Sequence, residues 1–152
     1  MTASELHLDN QVCFALYKAS RTMTQLYRPM LDGLGLTYSQ YLVMLVLWER
    51  SPVGMKDLGA ELDLDSGTLS PVLKRLKAAG LVTSARRADD ERSVEISLTS
   101  AGRLLRTRAE PIPRKIACAT QLQDEELIAL RSTLVALIDS MKESQPAPAQ
   151  AH

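Results

Sequence analysis

The chain has 152 residues, 45% of them hydrophobic, with 18 basic and 18 acidic side chains; this is enough for one ordinary globular domain, and the balanced charge permits a local basic face without requiring one. Aromatic residues make up only 4%, which argues against a stacking platform for single-stranded nucleic acid. The two cysteines and two histidines show no CxxC or HExxH spacing, so no metal and no cofactor are expected. No apolar run is long enough to cross a membrane and MTASELHLDN lacks a signal-peptide pattern, so a cytoplasmic chain with reduced thiols and no structural disulfide is expected.

Leu6, Val12, Leu16, Ala19, Met23, Leu26, Tyr27 and Met30 recur at helical spacing and predict a first helix from Leu6 to about Leu31. Pro29 should disturb its last turn, and Gly33–Leu36 should end it. Thr37 or Ser39 caps the next segment, YLVMLVLWE, which reads as a buried helix rather than a strand. Ser51-Pro52-Val53-Gly54 breaks it. Two short helices follow, Met55–Leu62 and one from Asp65 or Ser66 to Ala79, the second closed by Gly80. Leu81–Ala85 reads as a strand, ADDERS as a polar turn, and Val94–Leu98 alternates with period two, which together make a hairpin. Thr99-Ser100 caps a helix running from Ala101 to about Thr120, kinked or broken at Pro111 and Pro113. Asp124–Lys142 is a last amphipathic helix with acids in its first turn and lysine near its end. The final residues, 145–152, read as a disordered tail.

This order predicts a mainly α fold with a small β-hairpin wing. A winged helix-turn-helix module should span residues 33–99. Residues 1–32 and 100–144 should form a helical dimerisation region, because their broad apolar faces are too far apart in sequence for the small module to cover. A homodimer follows.

In SGTLSPVLKRLKAAG, Leu69, Val72, Leu73 and Leu76 fall on one stripe, and Ser66, Thr68, Ser70, Lys74, Arg75 and Lys77 fall largely elsewhere. Short hydroxyl side chains at the helix start suit base edges and phosphates, and the basic residues beyond them suit phosphates. Pro71 lies early enough to cost the helix little. The competing reading is a merely solvated face. The hairpin tips the balance, because Arg86, Arg87 and Arg92 flank its turn and residues 74–92 hold six basic against three acidic side chains. An arginine near a wing tip suits the minor groove of duplex DNA. Of the three acids, one should hold an arginine by a charge-assisted hydrogen bond, with Asp90 and Arg92 the expected pair.

Cys13 and Tyr17 stand at i, i+4 and share a face of the first helix. Tyr27, fourteen residues beyond Cys13, returns to nearly the same face but roughly 21 Å along the axis. It cannot touch Cys13 of its own chain, whereas the Tyr27 of an antiparallel partner can, with Tyr38 and Tyr41 beyond the same helix end. Two readings stand here. One is a thiol tuned by phenols for attack on a peroxide; the other is an ordinary core cysteine among core tyrosines.

DDERSVEISLTSAG resembles the wing signature of the MarR family of bacterial winged-helix repressors, and KRLKAAGLVTSARR is similar to that family's recognition-helix end and first wing strand. The likeness covers about Val12 to Met141. It implies an obligate dimer held by N- and C-terminal helices and bound to a pseudo-palindromic duplex. LDNQVCFALYKASR, with Tyr27 and Tyr38 following, resembles the organic hydroperoxide resistance regulators, a subgroup of that family. That resemblance implies that Cys13 is the peroxide-reactive residue and that Tyr27 and Tyr38 hydrogen-bond it from the other subunit. It further implies that Cys118 resolves the oxidised Cys13 into an intersubunit disulfide that cellular thiols reverse, as in the two-cysteine branch. Two alternatives remain. One is a repressor released when a phenolic or apolar ligand enters a cleft lined by Phe14, Tyr17, Tyr38 and Trp48. The other is a thiol peroxidase or oxidoreductase, disfavoured by the missing CxxC and βαβ pattern.

Overall fold

The structure, a computed structural model, describes residues 3–90 and 93–145. The chain falls into two compact units, Met1–Ile112 and Pro113–His152.

In the first unit, two short 3-10 turns at Ala3–Leu6 and Leu8–Asn10 lead into α1, Val12–Asp32. The helix therefore starts later than the apolar spacing predicts. Leu6 and Leu8 are exposed, so little burial favours a longer helix, and the Gln11 amide donates to the carbonyls of Glu5 and His7, holding the turns in place. Pro29 lies inside α1 and does not stop it. The helix continues to Asp32 because Leu31 is buried. The rest of α1 is largely exposed, Val12 by 68% and Tyr17 by 59%.

α2, Tyr38–Glu49, opens on a capping box in which Thr37 and Gln40 satisfy each other's backbone N–H groups. Its Tyr41, Val43, Met44 and Leu47 are buried, and with Leu58, Leu69, Leu73, Leu76, Ile96 and Leu98 they form the core. Each such side chain contributes about 1.5–3 kcal/mol by leaving water. α3, Met55–Leu62, and α4, Ser66–Ala78, fall where the sequence places them. Asp65 caps α4 by accepting the Thr68 N–H at 2.7 Å. Gly80 ends it with φ 72, a backbone that side chains rarely adopt.

A strand that the sequence does not announce, β1 at Val53–Gly54, joins the hairpin strands β2, Val82–Arg86, and β3, Val94–Leu98. The sheet is antiparallel in the order β1-β3-β2, with Val53 opposite Ile96, Val82 opposite Leu98 and Arg86 opposite Val94. α5, Ser100–Ala109, is capped by the Thr99 hydroxyl. The break after it falls at Glu110 and Pro111, beside the prolines that predict it.

α6, Ile112–Thr120, leads into the second unit, where α7 spans Asp124–Glu143. A capping box joins Gln123 and Glu126, three acids fill the first turn of α7, and Lys142 stands in its last, as the helix dipole favours. No residue of α7 is buried; Ile128, Val135 and Ile138 are all exposed. Residues 146–152, most of the expected disordered tail, lie outside the described residues. No described helix is long and apolar enough to cross a membrane.

Candidate nucleic-acid interface and sensing thiols

α4 separates its side chains as its pattern predicts. Leu69, Leu73 and Leu76 are buried, Val72 is half-buried, and Ser66, Thr68, Ser70, Lys74, Arg75 and Lys77 are exposed. Lys77 Nζ also donates to Ser84 Oγ at 2.9 Å, which ties α4 to β2. Arg86 and Arg87 are exposed at the end of β2. Arg92 lies outside the described residues, and with it the expected Asp90–Arg92 pair. Asp90 accepts from Ser93 Oγ at 3.0 Å. Among the described residues Asp89 holds an arginine: its two oxygens accept from Arg87 Nε at 3.0 Å and Arg87 Nη2 at 3.1 Å. That hydrogen bond, with the charge of Arg87, lowers the Asp89 carboxyl below the usual carboxylate range, and Asp89 raises the Arg87 guanidinium in turn. The pair stands two residues apart, a spacing that puts two side chains on one side of an extended chain and that the expected Asp90–Arg92 pair shares.

The sensing residues divide into two sets. Cys13 is exposed on α1. Tyr17, one turn further, is engaged by Arg21: its hydroxyl accepts from Arg21 Nη1 at 3.3 Å, and the guanidinium lies 5.5 Å from its ring centroid. The Cys13–Tyr17 spacing does not reveal that contact, although Arg21 stands at the same i, i+4 offset from Tyr17. Tyr27 and Tyr38 pack together with ring centroids 5.1 Å apart, and Tyr41 lies 5.7 Å from Tyr27 and 6.3 Å from Trp48. Burial, and then the neighbouring Tyr38, raises the Tyr27 phenol above its ordinary value. Because α1 is continuous from Val12 to Asp32, Cys13 and Tyr27 of one chain stay roughly 21 Å apart along its axis. Cys118, exposed on α6, shares a hollow with Arg114, Gln121 and Asp124, and Arg114 pairs with Asp124 at 3.0 Å.

Of the four residues expected to line one ligand cleft, Tyr38 and Trp48 border different hollows. Tyr38 borders a hollow with Arg21, Thr24, Gln25, Arg28 and Thr37, whereas Trp48 borders another with Ser51, Leu98, Arg103 and Arg106. Trp48 is drawn there because its indole N–H donates to the Gly102 carbonyl. Among the described residues no group of His, Cys, Asp or Glu is placed to hold a metal ion.

A short helix, a tight turn, an exposed basic helix and an arginine-bearing hairpin make up a winged helix-turn-helix module. Residues 25–107 match the family model for the transcriptional regulator SarA/Rot. The chain is 47% identical over 136 residues to the organic hydroperoxide resistance transcriptional regulator of Bacillus subtilis (strain 168), covering 90% of this chain and 92% of that one. Its fold is similar to that of reduced AbfR bound to DNA, with TM-score 0.76, 35% identity, and 93% and 99% of the two chains covered; AbfR is a protein of Staphylococcus epidermidis. Disulfide-formed AbfR matches with TM-score 0.63, 38% identity, and 89% and 95% covered. The chain belongs to the MarR/SarA-type family of winged-helix transcriptional regulators.

Proposed function

We propose that this chain is a redox-sensing repressor that binds a pseudo-palindromic DNA duplex as a reduced homodimer and leaves it when an organic hydroperoxide oxidises Cys13. The packing of Tyr27 against Tyr38 carries the reading. Two phenols from separate helices meet at a place their own Cys13 cannot reach, which favours a second, antiparallel copy as the source of the thiol. Exposure of Cys13, the likeness to a regulator named for hydroperoxide resistance, and the likeness to a fold recorded both on DNA and as a disulfide support it.

Residues 1–32 and 100–144 would then join the two copies, with 33–99 as the reading head. The exposed apolar side chains of α1 and of α7, each taken by itself, favour that division. Ser66, Thr68 and Ser70 would face base edges, and Lys74, Arg75, Lys77, Arg86 and Arg92 the phosphates and minor groove.

The chemistry balances in two steps. The Cys13 thiolate attacks the outer peroxide oxygen, the O–O bond breaks, and the alkoxide leaves and takes a proton as an alcohol, with Cys13 now a sulfenic acid. The Cys118 thiolate of the partner chain then attacks that sulfur and expels hydroxide, which takes a proton from solvent and leaves as water. A disulfide requires Cα atoms within about 7 Å, so any wider separation in the reduced dimer must be closed by helix movement. That movement would carry the two reading heads out of register with successive grooves. A dithiol returns the bridge to two thiols.

The test is a gel shift on a duplex selected by the reduced protein from a random pool, repeated with cumene hydroperoxide and with Cys13→Ser. Release of wild type but not of the variant is the expected result. A variant that still lets go would overturn the thiol mechanism and favour non-covalent release. Multiple turnovers of peroxide per Cys13 would favour the peroxidase reading instead.

A further inference from the structure

The Arg87 side chain is placed differently from that of an arginine reaching for a phosphate. Its own N–H donates to the Ser93 carbonyl at 2.9 Å, one step beyond the last β2–β3 pair, so Arg87 and Ser93 close the neck of the wing. From that neck the guanidinium reaches forward along its own chain into the loop. Two of its nitrogens engage both oxygens of Asp89 at 3.0 and 3.1 Å, and Nε also stands 3.8 Å from Glu95 on β3. One planar cation thus joins the first turn of the loop to the opposite strand. A bidentate fork fixes orientation as well as distance. Ser93 is held from the far side by Asp90, through its hydroxyl at 3.0 Å and its N–H at 2.9 Å.

We propose that Arg87 is a positioning residue: with Asp89 and Glu95 it braces the wing that presents Arg86 to the DNA, and it does not itself neutralise a phosphate. This refines the reading above and rests on it. It also accounts for acids beside a nucleic-acid face, where an unpaired carboxylate would repel the duplex. Asp89 belongs there because it shapes the loop.

The two roles make opposite predictions. If Asp89 were only a stray negative charge, Asp89→Asn would tighten binding to the selected duplex. As half of a brace, its loss should weaken binding by about tenfold, the worth of one charge-assisted hydrogen bond. Arg87→Ala should weaken binding similarly, and the double variant should lose no more than either single one, because both remove the same contact. The dependence of affinity on salt is the readout that separates position from charge. With a brace, Arg87→Ala leaves the slope of log K against log salt unchanged; with a phosphate contact it lowers the slope by about one. Arg87→Lys keeps the charge and loses the fork, so it should behave like Arg87→Ala, whereas a phosphate contact would be rescued. Tighter binding by Asp89→Asn, a slope reduced by Arg87→Ala, or rescue by lysine each overturns the brace while leaving the DNA-binding reading intact. A wild-type protein that selects no duplex overturns both.

Discussion

The indole N–H of Trp48 donates to the carbonyl oxygen of Gly102 at 2.8 Å, joining α2 to the first turn of α5 across 54 positions of sequence. The same turn is held by Thr99, whose hydroxyl accepts the Gly102 N–H at 3.0 Å and donates to the Gly80 carbonyl, while the Thr99 N–H donates to the Leu81 carbonyl at 3.1 Å. A Cβ on residue 102 would lie 2.1 Å from the Leu81 carbonyl oxygen and 3.1 Å from Leu98 Cδ2. Backbone cannot swing aside as a side-chain end can. Gly102→Ala should therefore cost about 2 kcal/mol or more, and Trp48→Phe about 1 kcal/mol for the lost donor. Urea unfolding measures both; an alanine variant within about 0.5 kcal/mol of wild type would show that α5 sits elsewhere.

Tyr41 predicts an alkaline limit. Burial, reinforced by Tyr27 and Tyr38, pushes its phenol up to about 12 from an unfolded value of about 10. Between those values the folded chain holds a proton that the unfolded chain has lost, so stability is complete below pH of about 10 and declines as pH rises through about 12. Tyr41→Phe, which keeps the ring, should flatten that decline relative to wild type. Melting temperature followed across the alkaline range tests it, and an unchanged decline would assign the effect to other groups.

If Tyr27 and Tyr38 support the partner's Cys13, removing either hydroxyl should slow sulfenic acid formation without abolishing it. One hydrogen bond to a thiolate corresponds to about tenfold in rate. Tyr27→Phe and Tyr38→Phe should each show that slowing with cumene hydroperoxide under single-turnover conditions, while reduced DNA binding stays intact. Tyr17→Phe should have a smaller effect, since Tyr17 is not part of the packed Tyr27–Tyr38 pair. Equal rates across the three variants would remove the phenols from the mechanism.

Cys118→Ser should separate sensing from resolution. Its Cys13 still oxidises, and no disulfide-linked dimer forms on a non-reducing gel. With excess peroxide Cys13 passes on to the sulfinic and sulfonic acids, so added dithiol no longer restores DNA binding. Full recovery by dithiol would mean that Cys118 plays no protective part.

Ile128, Val135 and Ile138 stand on α7 at spacings of seven and three, and are exposed by 56%, 51% and 44%. Such a stripe invites a second copy. Ile138→Asp should shift the protein from dimer to monomer in analytical ultracentrifugation while leaving its helical circular dichroism signal in place. A variant that stays dimeric would move the interface off this stripe.

Much of the reading head was legible in the residues because its elements are local. α3, α4 and the hairpin carry their own caps, breakers and periodicity, and the structure follows the predicted bounds within a residue or two. β1 is different: two residues have no period, and only the arrival of Ile96 makes Val53 a strand. α1 starts later than the apolar spacing predicts because 3-10 turns also space leucines plausibly. Around the thiol, spacing placed Cys13 and Tyr17 on one face, yet it could not weigh Tyr17 against Arg21. The Trp48–Gly102 bond and the different hollows bordered by Trp48 and Tyr38 depend on long-range packing, which leaves no mark on spacing.

The cap on α4 has a consequence for how the protein would sit on a duplex. The start of a helix is a natural seat for an anion, because its first N–H groups point outward and its dipole is positive there. In α4 that seat is taken: Asp65 receives the Thr68 N–H, and the contact lowers its carboxyl below the usual range. A phosphate arriving there meets a resident negative charge instead of a vacant cradle. The helix would then be steered away from docking end-on against the DNA backbone, and its register along the groove would be set by side chains such as Ser66, Thr68 and Ser70.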